Sequence, residues 1–273
     1  MIFDKSYPTQ QAMEYPSHTE MKPGEIENRV AIITGSSRGI GAEIAKTLTK
    51  NKIKVVINYN KSEDQANKLK KKIEEAGGEC LLVKANLRKE NEILNIIKKT
   101  IEAYNRLDII INNASEKINI KEIQDLAWED FETHIDLQVK APFLLVKNSL
   151  EYLKKSPDPR IINIITSGVL EKPASKMGDY LTAKSALLAL SKIFAVELAK
   201  FNIKVNMVSP DLVDTELTSF IPPRMKELIA ANKPLKGLTT KEDIANVVLY
   251  LCSPESKSLS GAHLPGSDNL VIG

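Results

Sequence analysis

Short runs of β-branched residues alternate with longer amphipathic segments along most of the chain, and this alternation constrains the fold more than any other feature. The runs are nearly continuous in valine and isoleucine, which is typical of parallel strands buried on both faces. We predict strands at 30–34, 54–58, 80–83, 108–112, 160–165 and 204–208, with a short closing segment at 262–265. We predict helices at 40–51, 63–76, 90–104, 128–154, 180–200 and 241–252.

The order of these elements predicts an α/β fold. Strands that alternate with helices form a parallel sheet through right-handed crossovers, so we expect a doubly wound sheet with helices on both faces. A chain of 273 residues with 42% hydrophobic residues can bury one sizeable core, and it contains no internal repeat or low-complexity linker. We therefore predict one domain at 29–273, preceded by an irregular extension at 1–28 that carries prolines and polar residues without a clear period.

Charge, hydropathy and cysteine usage argue against several classes of protein. The formal net charge is +3, and lysines and acids are mixed along the helical segments, so we expect no nucleic-acid partner. No uncharged apolar run approaches the about 20 residues that a membrane helix needs, so we expect no membrane association. Cys80 and Cys252 are far apart and form no CxxC pair, which favours a reduced cytoplasmic compartment and gives no sign of a metal site.

The first predicted strand runs directly into the glycine-rich segment TGSSRGIG at 34–41, which opens a helix. Gly35, Gly39 and Gly41 allow a tight turn and a close approach of the backbone, while the helix start offers free N–H groups and the positive end of its dipole. A glycine-rich turn alone is weak evidence, because many connections use glycine. Its position after the first buried strand of an alternating chain predicts a dinucleotide-binding site.

The residues at the end of the second strand indicate which dinucleotide is bound. Folds that prefer NAD place a carboxylate there to hold the adenosine ribose hydroxyls. Here the sequence is NYNKSED, in which Tyr59, Asn60 and Lys61 occupy this point and none is acidic. Arg38 and Lys61 can both face a 2′-phosphate, so we predict NADP(H) as the cofactor. The alternative is that Lys61 is one surface lysine among many.

The segment YLTAK at 180–184 places a phenol and an ammonium group one helical turn apart. A free phenol with a pKa near about 10 is a poor acid–base group at neutral pH, and a nearby cation stabilises the phenolate and lowers that pKa. We therefore expect Lys184 to lower the pKa of Tyr180. Taken alone, Tyr180 would more often be a packing residue, and the chemical interpretation depends on the glycine turn and on Ser167 after the fifth strand.

Four motifs in this order resemble those of the short-chain dehydrogenase/reductase family. They are TGSSRGIG, NNAS at 112–115, Ser167 and YLTAK, and the similarity runs from about Arg29 to Gly261. The pattern is most similar to bacterial 3-oxoacyl-carrier-protein reductases. The resemblance implies a Rossmann fold and an NADP(H)-dependent reduction of a small-molecule ketone, either a 3-oxoacyl group on an acyl carrier or another carbonyl compound. It implies that Tyr180 donates the proton, that Ser167 donates to the substrate oxygen, and that Lys184 also binds the nicotinamide ribose.

The resemblance also implies a set of cofactor-binding positions. Among them, Thr215 matches the threonine that contacts the nicotinamide carboxamide in the family. The full set is Gly35, Ser37, Arg38, Gly39, Ile40, Gly41, Tyr59, Asn60, Lys61, Asn86, Leu87, Asn113, Ala114, Tyr180, Lys184, Pro210, Val213 and Thr215.

Several positions depart from the family pattern. Gln138 stands where an asparagine usually supports a water in the proton relay to the lysine, so we include it among the catalytic candidates. Asn86 and Ser115 replace a common aspartate and glycine, and Asp211 replaces a glycine beside the nicotinamide pocket. A carboxylate at 211 would reshape this pocket or reject anionic substrates. These departures leave two alternatives open: an enzyme acting on a sugar or a pathway-specific intermediate, and a dinucleotide-binding sensor that has lost catalysis.

Two further expectations concern the lid and the assembly. The segment 216–236 matches the family's substrate lid and is rich in apolar residues, with Pro222–Pro223 breaking the run, so we expect a fairly apolar substrate. The helices at 128–154 and 180–200 are apolar on more than one face, as a helix buried against both a sheet and a partner would be. Related proteins form tetramers through these two helices, so the resemblance implies a homotetramer.

Overall fold

Seven parallel strands form one sheet in the computed structural model, which describes residues 27–170, 173–233 and 237–266. The strands are β1 (Val30–Ile33), β2 (Lys54–Tyr59), β3 (Cys80–Lys84), β4 (Ile109–Asn112), β5 (Arg160–Ile164), β6 (Lys204–Pro210) and β7 (His263–Gly266). Their order across the sheet is β3-β2-β1-β4-β5-β6-β7. This confirms the predicted doubly wound fold and places every predicted strand in the sheet, with the closing segment as β7. The extension at 1–28 lies outside the described residues except for Glu27 and Asn28, and it stays a prediction.

Eight α-helices connect and cover the strands in the described part of the chain. They are α1 (Gly39–Lys50), α2 (Glu63–Glu75), α3 (Glu90–Tyr104), α4 (Trp128–Ile135), α5 (Ala141–Leu153), α6 (Gly178–Glu197), α7 (Pro223–Asn232) and α8 (Lys241–Cys252). None of the helices in the described ranges is long and apolar enough to span a lipid bilayer.

The strands bury alternate residues on the two faces of the sheet, as the twofold period of a strand requires. In β1, Ala31 and Ile33 pack into one core with α1, α2 and α8. Val30 and Ile32 pack into a second core with α3, α5 and α6. Both faces are therefore covered, which explains why the strand sequences are almost continuously apolar.

The helix predicted at 128–154 is not continuous. The segment Asp136–Lys140 forms a π-helical turn between α4 and α5, closed by the Ala141 N–H donating to the Asp136 carbonyl. Pro142 supplies the physical reason, because it lacks the N–H that would bond to the carbonyl of residue 138, and its ring would clash with that carbonyl. Such turns widen a helix and often occur at functional sites, and this one contains Gln138.

The segment expected to form a lid contains a helix that the sequence patterns did not predict. Pro222–Pro223 does not simply interrupt the segment: Pro222 is the N-cap and Pro223 the first residue of α7, a position where a proline ring already has the helical φ angle. Met225 and Leu228 in this helix are half exposed. Residues 234–236 at the end of the expected lid lie outside the described residues.

Candidate active site

The predicted site residues lie at the carboxyl ends of the strands, on one edge of the sheet. This edge contains the switch point between β1 and β4, where the chain leaves the sheet in opposite directions and where doubly wound folds bind ligands. Gly35 follows β1 and Asn113 follows β4, so the two segments meet at the switch point. The other strand ends contribute Tyr59 from β2, Asn86 and Leu87 after β3, Ser167 after β5, and Pro210, Val213 and Thr215 from β6 onward.

Backbone geometry requires glycine at two positions of the turn between β1 and α1. Gly35 has a φ of +59°, and a Cβ there would lie 2.8 Å from the Ala114 Cα atom. A Cβ on Gly41 would lie 2.8 Å from the Ser36 Cα atom and 2.5 Å from the Asn113 Nδ2 atom. The glycine spacing therefore lets the turn pack directly against the segment that follows β4.

Three polar side chains hold this turn in place. The Asn113 Nδ2 group donates to the Thr34 and Gly35 carbonyls at 2.9 and 3.1 Å, while the Thr34 hydroxyl accepts from the N–H groups of Asn113 and Ala114. The Asn58 Oδ1 atom accepts from the Gly35 N–H at 3.1 Å. Asn113 thus acts here as a clamp on the glycine turn, and Asn58 does the same from β2, a role that the sequence patterns did not reveal.

The start of α1 fits an anionic group. Arg38 is the N-cap and makes no side-chain capping hydrogen bond to the helix. The first turn of a helix has N–H groups without intrahelical partners, and its dipole end is positive, so a diphosphate is a suitable partner. Arg38 is exposed beside this turn. The Glu216 carboxylate also lies close to this turn, 3.8 Å from the position that a Cβ on Gly39 would occupy.

The two predicted 2′-phosphate contacts are both exposed cations. Arg38 is exposed at the N-cap of α1, and Asn60 and Lys61 are exposed directly after β2. Tyr59 is buried. Asn86 uses its side-chain oxygen locally, accepting from the Arg88 N–H at 3.1 Å. Among the described residues at the β2 end, no acid occupies positions 59–61, as the sequence shows.

Tyr180 and Lys184 are both buried at the start of α6. The Lys184 Nζ atom donates to the Ile164 carbonyl of β5 at 2.7 Å and lies 5.9 Å from the centroid of the Tyr180 ring. Burial raises the pKa of Tyr180 to about 12, opposed by a hydrogen bond with the Thr166 side chain. Burial lowers the pKa of Lys184 to about 7. The expected lowering of the Tyr180 pKa is therefore not observed, because burial, which disfavours the charged form, outweighs the hydrogen bond with Thr166.

Ser167 is held by the unusual carboxylate at position 211. The Ser167 hydroxyl donates to the Asp211 Oδ1 atom at 3.3 Å, and the Asp211 Oδ2 atom lies 2.7 Å from the Lys233 Nζ atom. Lys233 follows α7 and its side chain is only 5% exposed. The sequence analysis placed Asp211 beside the nicotinamide pocket and did not foresee its contact with Ser167. The carboxylate links Ser167 to the end of α7. Lys233 carries no sequence signal, since its pairing depends entirely on the tertiary fold.

Gln138 belongs to a buried polar chain rather than standing alone. Its Nε2 group lies 2.8 Å from the His134 Nδ1 atom and 3.5 Å from the Ser115 hydroxyl. The His134 Nε2 atom lies 3.5 Å from an oxygen of Asp179, the residue before Tyr180. Neither His134 nor Asp179 was a candidate from the sequence. The available signal was the spacing of His134 and Gln138, four residues apart on one helical face.

The segment after β6 is shaped by a local hydrogen-bond network. The Thr218 hydroxyl accepts from the Thr215 N–H at 3.1 Å and donates to the Val213 carbonyl at 2.7 Å. Val213 itself is buried and forms an isolated parallel bridge with Thr239. These contacts fold residues 213–218 back toward the glycine turn, where the Thr215 side chain lies 3.9 Å from the position of a Cβ on Gly39.

Comparison with known proteins decides the family. Residues 35–266 match the profile of a family described as enoyl-(acyl carrier protein) reductase. The chain is 30% identical over 237 residues to the 3-oxoacyl-[acyl-carrier-protein] reductase FabG of Staphylococcus epidermidis, which covers 86% of this chain and 95% of the relative. The chain belongs to the short-chain dehydrogenase/reductase family.

Two solved structures of this family share the fold. A short-chain dehydrogenase from Burkholderia cenocepacia in complex with NADP superposes with a TM-score of 0.83 at 26% identity, covering 90% of this chain and 99% of the other. A 3-ketoacyl-(acyl-carrier-protein) reductase from Brucella melitensis complexed with NADH gives a TM-score of 0.83 at 25% identity, covering 90% and 100%. The resemblance drawn from the motifs is confirmed, and the protein is an oxidoreductase of a family that uses nicotinamide dinucleotides.

Proposed function

We propose that this short-chain dehydrogenase/reductase is an NADP(H)-dependent reductase that converts a ketone to a secondary alcohol, with Tyr180 as the proton donor. The observation that carries the proposal is the burial of Tyr180 and Lys184 together, with Lys184 bonded to the end of β5, the strand that Ser167 follows. This arrangement places an acid, an amine and a hydroxyl donor on the sheet edge where a dinucleotide binds in such folds.

The pKa values suit the proposed roles of the two titratable groups. A bound nicotinamide dinucleotide supplies the hydride. A phenol whose pKa is raised to about 12 keeps its proton at neutral pH and gives it up to an alkoxide, which is a much stronger base. An amine whose pKa lies at about 7 can release and regain a proton near neutral pH, so Lys184 can return a proton to the Tyr180 phenolate. Ser167 supplies a hydroxyl donor to the carbonyl oxygen as negative charge develops there.

The preference for NADP(H) rests on charge. Arg38 and Lys61 are exposed cations flanking the position where the adenosine ribose lies in doubly wound folds, and positions 59–61 carry no acid to bind ribose hydroxyls. Replacing both cations by alanine is expected to weaken NADPH binding by about 10- to 100-fold, with little change for NADH. Lys68→Ala, on the exposed face of α2, is the matched control.

The substrate class follows from the relatives and the lid. Curated relatives and one solved neighbour are named as 3-oxoacyl- or 3-ketoacyl-[acyl-carrier-protein] reductases, so we propose a 3-oxoacyl thioester or a similarly apolar ketone. The half-exposed Met225 and Leu228 of α7 provide apolar surface near the site for such an acyl chain. Both cysteines are free and buried, in agreement with the cytoplasmic location that we propose.

The proposal is tested by following NADPH oxidation with an acetoacetyl thioester and a panel of neutral ketones. Tyr180→Phe should lower kcat by about 10²- to 10⁴-fold, and activity should fall as the pH rises through about 7, where Lys184 loses its proton. Tyr104→Phe is the matched control, because Tyr104 is another phenol whose pKa burial raises to about 12, but it lies at the end of α3. Undiminished turnover by Tyr180→Phe would refute the assignment.

The sensor alternative makes a different prediction in the same assay. A protein that binds NADPH tightly, turns over none of the ketones and binds NADPH equally well as the Ser167→Ala variant would be a dinucleotide-binding sensor. The Asp211 carboxylate is the reason to test this alternative, because it accepts the single hydrogen bond that the Ser167 hydroxyl can donate. A sugar or pathway-specific substrate would instead appear as turnover confined to polyhydroxylated ketones.

We also propose a homotetramer assembled through α5 and α6. Ile193 and Val196 on α6 are 51% and 78% exposed, and Phe143 on α5 is 42% exposed. Large apolar side chains exposed on a helix surface mark interaction surfaces, and a second copy of the chain is the proposed occupant because family members assemble through these helices.

A further inference from the structure

A buried chain of three polar side chains lies beside Tyr180 and has no role in the steps described above. Asp179, His134 and Gln138 are each at most 2% exposed. The Asp179 Oδ1 atom accepts from the Tyr180 N–H at 2.8 Å, and its Oδ2 atom lies 3.5 Å from the His134 Nε2 atom. The edge of the His134 ring meets the Tyr180 ring, with 5.8 Å between centroids. Buried polar groups of this kind are retained where they fix a geometry.

The contacts favour one tautomer of His134. Because the Asp179 carboxylate faces Nε2, a neutral ring carries its proton on Nε2 and leaves Nδ1 as an acceptor. The Gln138 Nε2 group, which can only donate, lies 2.8 Å from that Nδ1 atom. Asp179 therefore favours a proton on the Nε2 atom of His134, and the unprotonated Nδ1 atom favours the amide orientation in which Gln138 Nε2 donates to it.

The orientation of this amide leaves its oxygen available. The Gln138 Oε1 atom is buried and makes no hydrogen bond within the described residues. A buried amide oxygen without a donor is unfavourable, so this atom is suited to a bound water. Gln138 stands at the position that, by the resemblance, supports the water in the proton relay to the lysine, and Lys184 is close enough to act electrostatically on His134.

We propose that Asp179 and His134 are positioning residues that hold the Gln138 amide with its oxygen toward the proton relay of Lys184, and that protonation of His134 reverses the amide and slows the relay. The proposal rests on the proposed function, in which Tyr180 gives its proton to the substrate alkoxide. Lys184 then reprotonates the phenolate and takes a proton from water in turn. An imidazolium presents N–H on both nitrogens, so its Nδ1 would accept nothing from Gln138 and would attract Oε1 instead.

The charged groups around His134 set the pH range of this switch. Burial lowers the pKa of His134 below its usual 6.5, and Lys184 on α6 acts in the same direction. Asp179 on α6, Glu116 in the loop after β4 and Asp130 on α4 raise it, but by less than burial lowers it. The ring is therefore neutral at pH 7, and the switch operates in the acidic range.

Kinetics with matched variants test the proposal first. His134→Asn keeps an acceptor near the Nδ1 position but cannot titrate, so the acid limb of the kcat profile should disappear while kcat at neutral pH stays within about 3-fold. His134→Leu removes the acceptor and should lower kcat by about 5- to 10-fold at every pH, with the KM for NADPH unchanged. His263→Asn is the control, because His263 is a second histidine whose pKa burial lowers, yet it lies on β7. An acid limb that persists in His134→Asn overturns the proposal.

Nuclear magnetic resonance provides a readout that does not depend on turnover. The chain has three histidines, so the ¹⁵N imidazole signals of His134 can be assigned by comparison with His134→Asn. We expect the Nε2–H tautomer at neutral pH and a shift of the Gln138 side-chain amide signals as His134 titrates, both altered in Asp179→Asn. The Nδ1–H tautomer, or Gln138 signals indifferent to His134, would overturn the proposal even if no substrate is consumed. Loss of all turnover with the expected tautomer would instead count against the proposed function alone.

Discussion

Asp211 lies between Ser167 and Lys233 in the candidate site. Where the family pattern has a glycine, this chain presents a carboxylate that accepts a hydrogen bond from the Ser167 hydroxyl and pairs with Lys233. A serine has one proton to donate, so the carboxylate and a substrate carbonyl compete for it. Hydrogen bonds to charged acceptors are roughly twice as strong as neutral ones, which gives Asp211 the advantage. In the proposed reaction, Asp211 would therefore compete with an uncharged ketone for the Ser167 hydroxyl.

Asp211→Asn should relieve this restraint. An amide oxygen remains near Ser167 but carries no charge, and the difference between charged and neutral hydrogen bonds of about 1 kcal/mol predicts an increase in kcat of about 5-fold with a neutral ketone. The measurement is steady-state kinetics at saturating NADPH. Asp214→Asn is the control, since Asp214 carries an exposed carboxylate paired with Lys226 on the same segment. A fall in kcat comparable to that of Ser167→Ala would show that Ser167 needs the carboxylate.

The residues that the sequence failed to identify share one property. Lys233, His134 and Asp179 each act through a partner far away in the chain or on another helix, and no local pattern encodes such a pairing. The sequence did identify the glycines, Ser167, Tyr180 and Lys184, because each lies in a motif with a fixed position relative to a strand end. Motifs fix which residues meet, but the direction of the Tyr180 pKa shift depends on burial, which the motif does not contain.

At the scale of the element, strands were predictable and the interrupted helix was not. Apolar runs rich in β-branched residues predicted the first six strands to within a few residues, because burial on both faces leaves a strong signal. The seventh strand was predicted only as a short closing segment, since its sequence HLPG contains no β-branched residue. The segment around Asp136–Lys140 carries no break in its helical composition before Pro142, so the pattern alone suggested one continuous helix. Pro142 was the available clue, since a proline inside a helical pattern demands a local change in hydrogen bonding.

The last helix depends on a capping box at its start. The Thr240 hydroxyl accepts from the Asp243 N–H at 3.1 Å, and the Asp243 carboxylate accepts from the Thr240 N–H at 2.8 Å. Thr240→Ala should lower the free energy of unfolding by about 1 kcal/mol, seen as a fall in Tm of about 2–4 °C for a chain of this size. Ser62→Ala is the control, because Ser62 is the N-cap of α2 without a capping hydrogen bond. Equal losses in the two variants would contradict the assigned cap.

At the scale of the whole molecule, the exposed apolar residues of α6 bear on the proposed tetramer. Replacing Ile193 and Val196 together by glutamate places charges at the proposed interface, where they would be desolvated without partners. Light scattering should show a species of one half or one quarter the wild-type mass. Leu94→Glu on α3, an apolar side chain 43% exposed, is the control and should leave the mass unchanged. A wild-type protein that is monomeric at micromolar concentration would end the assembly proposal.

The edge of the sheet opposite the site is held by a buried ionic network centred on Asp158. Arg160 donates twice to the Asp158 Oδ2 atom at 2.9 and 2.7 Å, Lys204 donates to Oδ1 at 3.0 Å, and the Arg29 guanidinium lies 3.5 Å away. Arg29 and Arg160 also donate to the carbonyls of Cys252 and Ser256. The network therefore joins the starts of β1, β5 and β6 to the end of α8.

This network should make the fold sensitive to acid. Burial raises the pKa of Asp158, but the hydrogen bonds and charges of Arg160, Arg29 and Lys204 outweigh it and hold that pKa below its usual value. A carboxyl with a depressed pKa stabilises the fold above its unfolded pKa of about 3.9 and loses that contribution as the pH falls through its folded pKa. Asp158→Asn should therefore cost about 3–5 kcal/mol at neutral pH, because it leaves buried cations uncompensated, and less as the pH falls below about 4. Urea unfolding at several pH values measures this, with the exposed Asp125→Asn as the control. A cost independent of pH would show that packing at position 158, rather than its charge, holds this edge together.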